Sequence, residues 1–386
     1  MKKLIAMALC LMMLCSCAAA EETQLMVRMG GSFGLGVDVN GVIWGWGDNR
    51  NGQLGIESRK IISKPVQAAQ GMNGHDILDI QCGNVNTLFI MKDGTVYTCG
   101  ANSEGQQGIA SVKDRVLIPV QIPELKNIVQ ANCGFGHCLA LDKDGHVWAW
   151  GRNHVGQIGD GTRQHVDTPK MLTLENIVQV GCGGKYSMAL DASGVVYAWG
   201  EGDYGQLGGI KINYQLEPQP VDLGGLKVKA IACGGDTSYF LCEDNTLWAM
   251  GRNDYWQLGR DDVGGDSAVP VQVKLPSAVL IDGVIAYNSH TMVLSKDGQV
   301  WIWGISSSGQ LGLGDRPGKS LPVLCRENVV DADVGSLACV LLQSDGTVVA
   351  TGLNKYAQTG TLYKVYHMVA EWAANGVNLQ KGICEK

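Results

Sequence analysis

Several short stretches carry residue types at spacings that could do chemistry. Gly30-Gly31-Ser32-Phe33-Gly34 matches G-x-S-x-G, in which a strand-to-helix turn presents a serine nucleophile. Gly200-Glu201-Gly202-Asp203-Tyr204-Gly205 matches the dinucleotide fingerprint, and Gly318-Lys319-Ser320 resembles the end of a phosphate loop. Each fails on its surroundings. The serine lies between two predicted strands with no helix to form a nucleophile elbow. The second motif is one copy of a recurring loop, in which Gly202 stands where other copies have Asn49, Asn102, Asn153, Asn253 and Asn354. Both residue types tolerate a left-handed turn, which accounts for the match. The phosphate loop would need glycine at 313, which is Leu313. The seven histidines include no H-E-x-x-H and no i, i+4 pair. His137 and His290 occupy one repeat position, shared with Phe33, Asn86, Tyr186, Thr237 and Ala338, and are expected to be structural, with a ring nitrogen bonded to backbone. No carboxylate pair stands out for acid/base work, though a pair lining a channel is left open. No cofactor or metal site is expected, and the chain is read as non-enzymatic.

The elements that would position such residues are repeats. A strand ending in glycine recurs seven times, as in Val147-Trp148-Ala149-Trp150-Gly151, and the final glycines, Gly47, Gly100, Gly151, Gly200, Gly251, Gly304 and Gly352, lie 48 to 53 residues apart. Before each strand comes a tight-turn dipeptide, such as Asp144-Gly145 or Asp244-Asn245, preceded by another apolar strand, so turn and flanks read as a hairpin. After the strand, a loop closes on Gly-Gln-Leu-Gly at Gly52, Gly205 and Gly309 and, with Ile158 for Leu, at Gly156, with weaker copies at Gly105, Trp256 and Ala357. Pro65, Pro119, Pro169, Pro220, Pro270 and Pro322 are expected to open the next strand.

Four short strands per unit, seven units and no helical periodicity predict an all-β fold, a seven-bladed β-propeller forming one domain over residues 25–386. The segment Leu25–Met29 is expected to complete a sheet left open by the C-terminal repeat, closing the ring by pairing of the two ends and hiding the sheet edges. Such a ring is expected to be monomeric.

Lys2 and Lys3, the apolar run Leu4–Leu14 and the small residues after it have the layout of a secretory signal, too short to span a bilayer. Leu14-Cys15-Ser16-Cys17 resembles a lipobox. It predicts a signal over residues 1–16, lipidation of Cys17, a linker over 17–24, and a protein tethered outside the cytoplasm by lipid alone. Cleavage after Ala20, giving a secreted protein, is the alternative. The formal net charge is −7, and removing Lys2 and Lys3 leaves 28 basic against 37 acidic residues, a net of −9. That balance argues against nucleic acid as a partner. Of thirteen cysteines, Cys10, Cys15 and Cys17 belong to the signal. Cys82, Cys133, Cys182 and Cys233 recur at one repeat position and read as small buried hydrophobes, since equivalent positions sit a blade apart.

The stretch Cys133 to Gly159, with its Cys-Gly-x-x-His, Asp-Gly, Trp-x-Trp-Gly and Gly-Gln-x-Gly elements, resembles the regulator of chromosome condensation repeat family over roughly residues 25–370. The resemblance implies the seven-bladed fold. It does not fix function, since members include a GTPase exchange factor, domains of membrane-traffic and ubiquitin-ligase proteins, and a secreted bacterial β-lactamase inhibitor. Function is expected in loops. Chain direction places the Cys-Gly turns and the loops before Gly-Gln-Leu-Gly on one face, whose variable positions include Phe135, His154, Lys185, Tyr204, Tyr255, Trp256 and Tyr356. Trp256 replaces the repeat's glycine and should set a large ring at an exposed bend. The expected function is binding of a protein partner at the cell envelope. Inhibition of a cell-wall or β-lactam-processing enzyme, carbohydrate binding, and hydrolase or lyase chemistry in the channel are the rivals.

Overall fold

A computed structural model describes residues 23–209, 212–261, 264–361 and 369–384. Seven antiparallel sheets follow one another along the chain, each made of consecutive strands. The first blade comprises Met26–Met29, Phe33–Val37, Ile43–Asp48 and Ile61–Gln67. The second comprises Ile77–Cys82, Asn86–Met91, Val96–Ala101 and Arg115–Gln121, and the third Ile128–Cys133, His137–Asp142, Val147–Gly151 and Val166–Met171. The fourth comprises Ile177–Cys182, Tyr186–Asp191, Val196–Gly202 and Ile212–Pro220, the fifth Val228–Cys233, Thr237–Cys242, Leu247–Gly251 and Ser267–Gln272, and the sixth Ile281–Tyr287, His290–Ser295, Val300–Gly304 and Lys319–Arg326. The seventh comprises Val329–Val334, Ala338–Gln343, Thr347–Gly352 and Val369–Asn378, with Ile383–Cys384 added at its outer edge. First strands touch first strands all round the ring, including Met26–Met29 against Val329–Val334, so they line the central channel.

The turn chemistry behaves as the sequence demands. Gly41, Gly94, Gly145, Gly194, Asn245, Gly298 and Gly346, at the tight turn of each blade, all have positive φ. The prolines differ from expectation: Pro65, Pro119, Pro169, Pro270 and Pro322 lie within the outer strands and Pro220 ends one. An outer strand is an edge, where a missing N–H costs no ladder bond.

Blades are joined by side chains from the repeat itself. Trp46, Trp150, Trp199 and Trp303 are fully buried, and each indole N–H donates to the carbonyl of the preceding blade's loop glutamine, Gln358, Gln106, Gln157 and Gln257, at 2.8–3.0 Å. A second set of latches links the inner strands. The Gln130 amide bonds both N–H and C=O of Val180, Gln179 does the same with Ile231, and Asn132 accepts from the N–H of Cys182. Between blades 7 and 1 the acceptors are carboxylates: Asp331 takes the Val27 N–H at 2.8 Å and Asp333 the Met29 N–H at 2.7 Å. Arg28 balances them, bonding Asp331 at 2.8 Å and Asp79 of blade 2 at 2.7 Å.

The seam corrects one expectation. Met26–Met29 pairs with Phe33–Val37 of its own blade, not with the C-terminal sheet. The chain holds seven complete four-strand units in one phase, so no sheet is left open. The C-terminal segment still crosses the seam: Leu379, fully buried, donates its N–H to Gly346 of blade 7 and accepts from Val39 of blade 1 at 2.9 Å.

Candidate functional site

The loop after each third strand is set by two side chains. In blade 1, Asn49 Oδ1 accepts from the N–H of Leu54 and Gln53 Oε1 from that of Asn51, and the pairs Asn153/Gln157 and Asn253/Gln257 repeat the pattern. The asparagines are therefore loop acceptors rather than left-handed turn residues, which corrects the reason given for Gly202. The left-handed position lies three residues on, at Gly52, Gly105, Gly156, Gly205 and Gly309 with φ between 74° and 87°. Trp256 adopts it with φ 61° and Ala357 with φ 60°. An aromatic residue there carries steric strain that glycine would not.

Trp256 is 41% exposed and Tyr255 39%. The Trp256 ring lies on the backbone of Gly318 in blade 6, so close that a Cβ on Gly318 would stand 2.7 Å from it. Arg252 joins the neighbouring rings, its guanidinium 4.6 Å from the Tyr204 centroid and 5.7 Å from that of Tyr255. Asp236 and Asp254 hold Arg252 at 3.2 and 2.9 Å. Burial pushes the Asp236 carboxyl up, with Arg252 opposing the shift. Tyr204, Arg252 and Tyr255 thus form one aromatic and cationic cluster over blades 4 and 5, and Trp256, next in the chain, extends the exposed aromatic surface over blade 6.

The other predicted residues are not part of that patch. Phe135 is half-buried over Gly184 and meets Tyr287 of blade 6, the ring centroids 5.6 Å apart, so these two rings cap the channel mouth. Tyr356 stacks on Arg50 at 4.7 Å. Lys185 pairs with Glu201 at 2.9 Å. His154 accepts from Arg152 at 2.8 Å, and burial together with Arg152 and Lys185 holds its pKa down. Arg252 and Tyr287 were missed by sequence reasoning. The signal for Arg252 was the residue after each strand-end glycine, which varies as Asp48, Ala101, Arg152, Glu201, Arg252, Ile305 and Leu353.

The channel encloses about 490 Å³, lined by Arg28, Gln130, Gln179, Tyr287, Asp331 and Asp333 among others. Burial pushes Asp333 up to about 7 and raises Asp331 as well. Both carboxylates are committed to backbone N–H groups, Asp331 to Val27 and Ala332 and Asp333 to Met29 and Val334. They serve as latches rather than a free acid/base pair. His137 and His290 are buried and held down to about 4 by desolvation, which makes them neutral packing groups. His137 Nε2 meets Ser187 Oγ of the next blade at 3.0 Å, and backbone at Tyr186 also acts on the His137 ring as backbone at Ala338 does on His290, the kind of contact expected. Among the described residues no group of three or more metal-ligating side chains is present. On the opposite face, Leu78, Val129, Val178 and Val330, each second in its inner strand, are 38–55% exposed around the channel mouth, a feature the sequence reading did not single out.

The family model described as RCC1-like domain matches residues 14–338. The chain belongs to this family. It is 34% identical over 360 residues to human E3 ubiquitin-protein ligase HERC2, covering 88% of this chain but 7% of that protein. It is 30% identical over 353 residues to the ultraviolet-B receptor UVR8 of Arabidopsis thaliana, covering 89% of this chain and 80% of the receptor. Among solved structures, yeast RCC1 (Prp20), crystallised with Kap60 bound, superposes with a TM-score of 0.79 at 22% identity, over 97% of this chain and 91% of that one. Human WBSCR16 does so at 0.74 and 24%, over 81% and 85%. At these identities the structures speak to the fold alone. The RCC1-like propeller is as the sequence predicted. The predicted signal, Cys17 and the predicted linker up to residue 22 lie outside the described residues.

Proposed function

We propose that this RCC1-like propeller is a non-catalytic protein-binding module, displayed outside the cytoplasm on a lipid anchor at Cys17. Its binding face carries Tyr204, Arg252, Tyr255 and Trp256. The observation that carries this reading is Trp256: a large ring held at a left-handed position that most repeats give to glycine, and 41% exposed there. Strain at an exposed aromatic is retained where the ring has work to do, and tryptophan, tyrosine and arginine dominate binding hot spots. Yeast Prp20p, of the same fold, was studied for its binding to Gsp1p and histones. Lys2, Lys3 and the apolar run before Cys17 support export.

The test is a crosslinking capture from the native cell with mature protein, followed by titration of the identified partner. Trp256→Ala and Tyr255→Ala should each weaken binding roughly thirtyfold, as loss of a ~2 kcal/mol anchor requires. Lys143→Ala and Lys296→Ala, beside the tight turns of the other face, should change it little. If Val129 and Val178 variants abolish binding while Trp256→Ala leaves it intact, the opposite mouth is the binding face and this reading is wrong.

A further inference from the structure

Blade 3 carries cysteine on both sides of one cross-strand pair. Cys133 ends the inner strand, Cys138 is second in the next, and the two are directly opposed in the ladder. Gly134 donates its N–H to the His137 carbonyl at 2.8 Å. The bonded pair is therefore 134 with 137, and the step to 133 and 138 is a non-hydrogen-bonded pair, where side chains lie closest. The Cα separation typical of such a pair, about 4.5 Å, falls inside the span of about 4.4–6.8 Å that disulfides bridge. The two sulfurs are 3.3 Å apart, and the Asn86 amide of blade 2 lies 3.6 Å from both.

The other blades show that packing does not require a thiol at position 138. Cys82 faces Thr87, Cys182 faces Ser187 and Cys233 faces Ser238. Those hydroxyls donate to Gln53, Gln157 and Gln206 carbonyls of the preceding blade at 2.7–2.8 Å. Cys138 makes the equivalent contact with Gln106 only at 3.7 Å. The thiol is the poorer donor at this position, and among the described blades only blade 3 sets two sulfurs opposite each other here.

We infer that Cys133 and Cys138 form a disulfide by exchange with a disulfide oxidant, either a small-molecule disulfide such as oxidised glutathione or the active-site disulfide of an oxidoreductase. Cys133 lines the channel whereas Cys138 is fully buried, so the Cys133 thiolate is the one that attacks the oxidant first. It bonds to one oxidant sulfur and expels the other as a thiol. The Cys138 sulfur then displaces the second oxidant sulfur from Cys133. Two protein thiols lose two protons and two electrons, and one oxidant disulfide becomes two thiols. The bond closes the hairpin whose tip is Phe135, the ring that caps the channel against Tyr287.

The full chain, refolded with oxidised glutathione, alkylated under denaturing conditions and digested with trypsin, tests this. Residues 127–143, between Lys126 and Lys143, contain both cysteines and no internal cleavage site. That peptide should be unalkylated and lighter by two hydrogens than its reduced form. Cys138→Ser, which restores the hydroxyl used in blades 4 and 5, should fold and yield the peptide singly alkylated. A wild-type peptide found doubly alkylated, or Cys133 found linked to Cys82 or Cys182, would overturn the assignment, and the wild-type map decides it even if the variant fails to fold.

Discussion

The indole N–H of Trp46 in blade 1 donates to the carbonyl oxygen of Gln358 in blade 7 at 2.9 Å, the same bond that Trp150, Trp199 and Trp303 make to the blade before them. Trp46→Phe keeps an aromatic ring but leaves a buried carbonyl without its donor. The expected loss is about 1–3 kcal/mol. A denaturant midpoint that falls with an unchanged slope would measure it; an unchanged midpoint would mean the bond does not hold the seam.

The carboxylate latches give the seam a pH dependence. Burial raises Asp333 from its ordinary value to about 7, so between about pH 4 and 7 the folded chain keeps a proton that the unfolded chain has lost. Stability should therefore be highest near the acid end of that window, fall as pH rises through it, and level off above 7. Asp331, raised for the same first cause, adds the same sign. Asp333→Asn copies Asn132, which accepts a backbone N–H at the same repeat position in blade 3, and should flatten the profile. Melting temperatures of both proteins across the window decide it.

Arg28 is the counter-charge for Asp79 and Asp331. Arg28→Met removes the shared counter-charge and leaves two partly buried carboxylates without it beside the channel, which should cost about 1–3 kcal/mol. The loss should shrink in an Arg28→Met, Asp331→Gln double variant, because Gln130 and Gln179 perform the latch without charge. Unfolding curves of the wild type, Arg28→Met, Asp331→Gln and the double variant measure the coupling.

Trp256 separates strain from binding. At φ 61° glycine relieves the steric conflict that alanine retains, so Trp256→Gly should be more stable than Trp256→Ala by about 1 kcal/mol. Both should lose the partner to the same extent. Equal melting temperatures would remove the argument from strain.

The anchor is tested on the cell. Cys17→Ser should release the protein from the membrane fraction or block its processing. A mature wild-type N-terminus at Glu21 would replace the lipoprotein with a secreted protein.

The fold was legible because its determinants are local: the Asp-Gly turns, the strand-end glycines and the Gly-Gln-Leu-Gly loops each fix a few backbone angles and recur. The exposed bend at Trp256 was legible for the same reason, since one residue broke a glycine pattern. What stayed hidden depends on the neighbouring blade. Gln130, Asn132, Gln179, Asp331 and Asp333 look like ordinary polar positions until the facing N–H groups are placed. Arg252 becomes a hub only when Tyr204 of the blade before is brought to it. The phase of the repeat was misjudged at the seam because strand order alone does not say which strand is innermost.

Near the seam, Thr23 donates its hydroxyl to the carbonyl of Val39 at 3.3 Å, and Leu379 accepts the N–H of that same residue. The early and late parts of the polypeptide are thus held on a single amino acid. The molecule consequently has no privileged starting blade. A gene rearranged to join these two stretches by a short spacer, and opened instead in the link between blades 3 and 4, should encode the same closed ring.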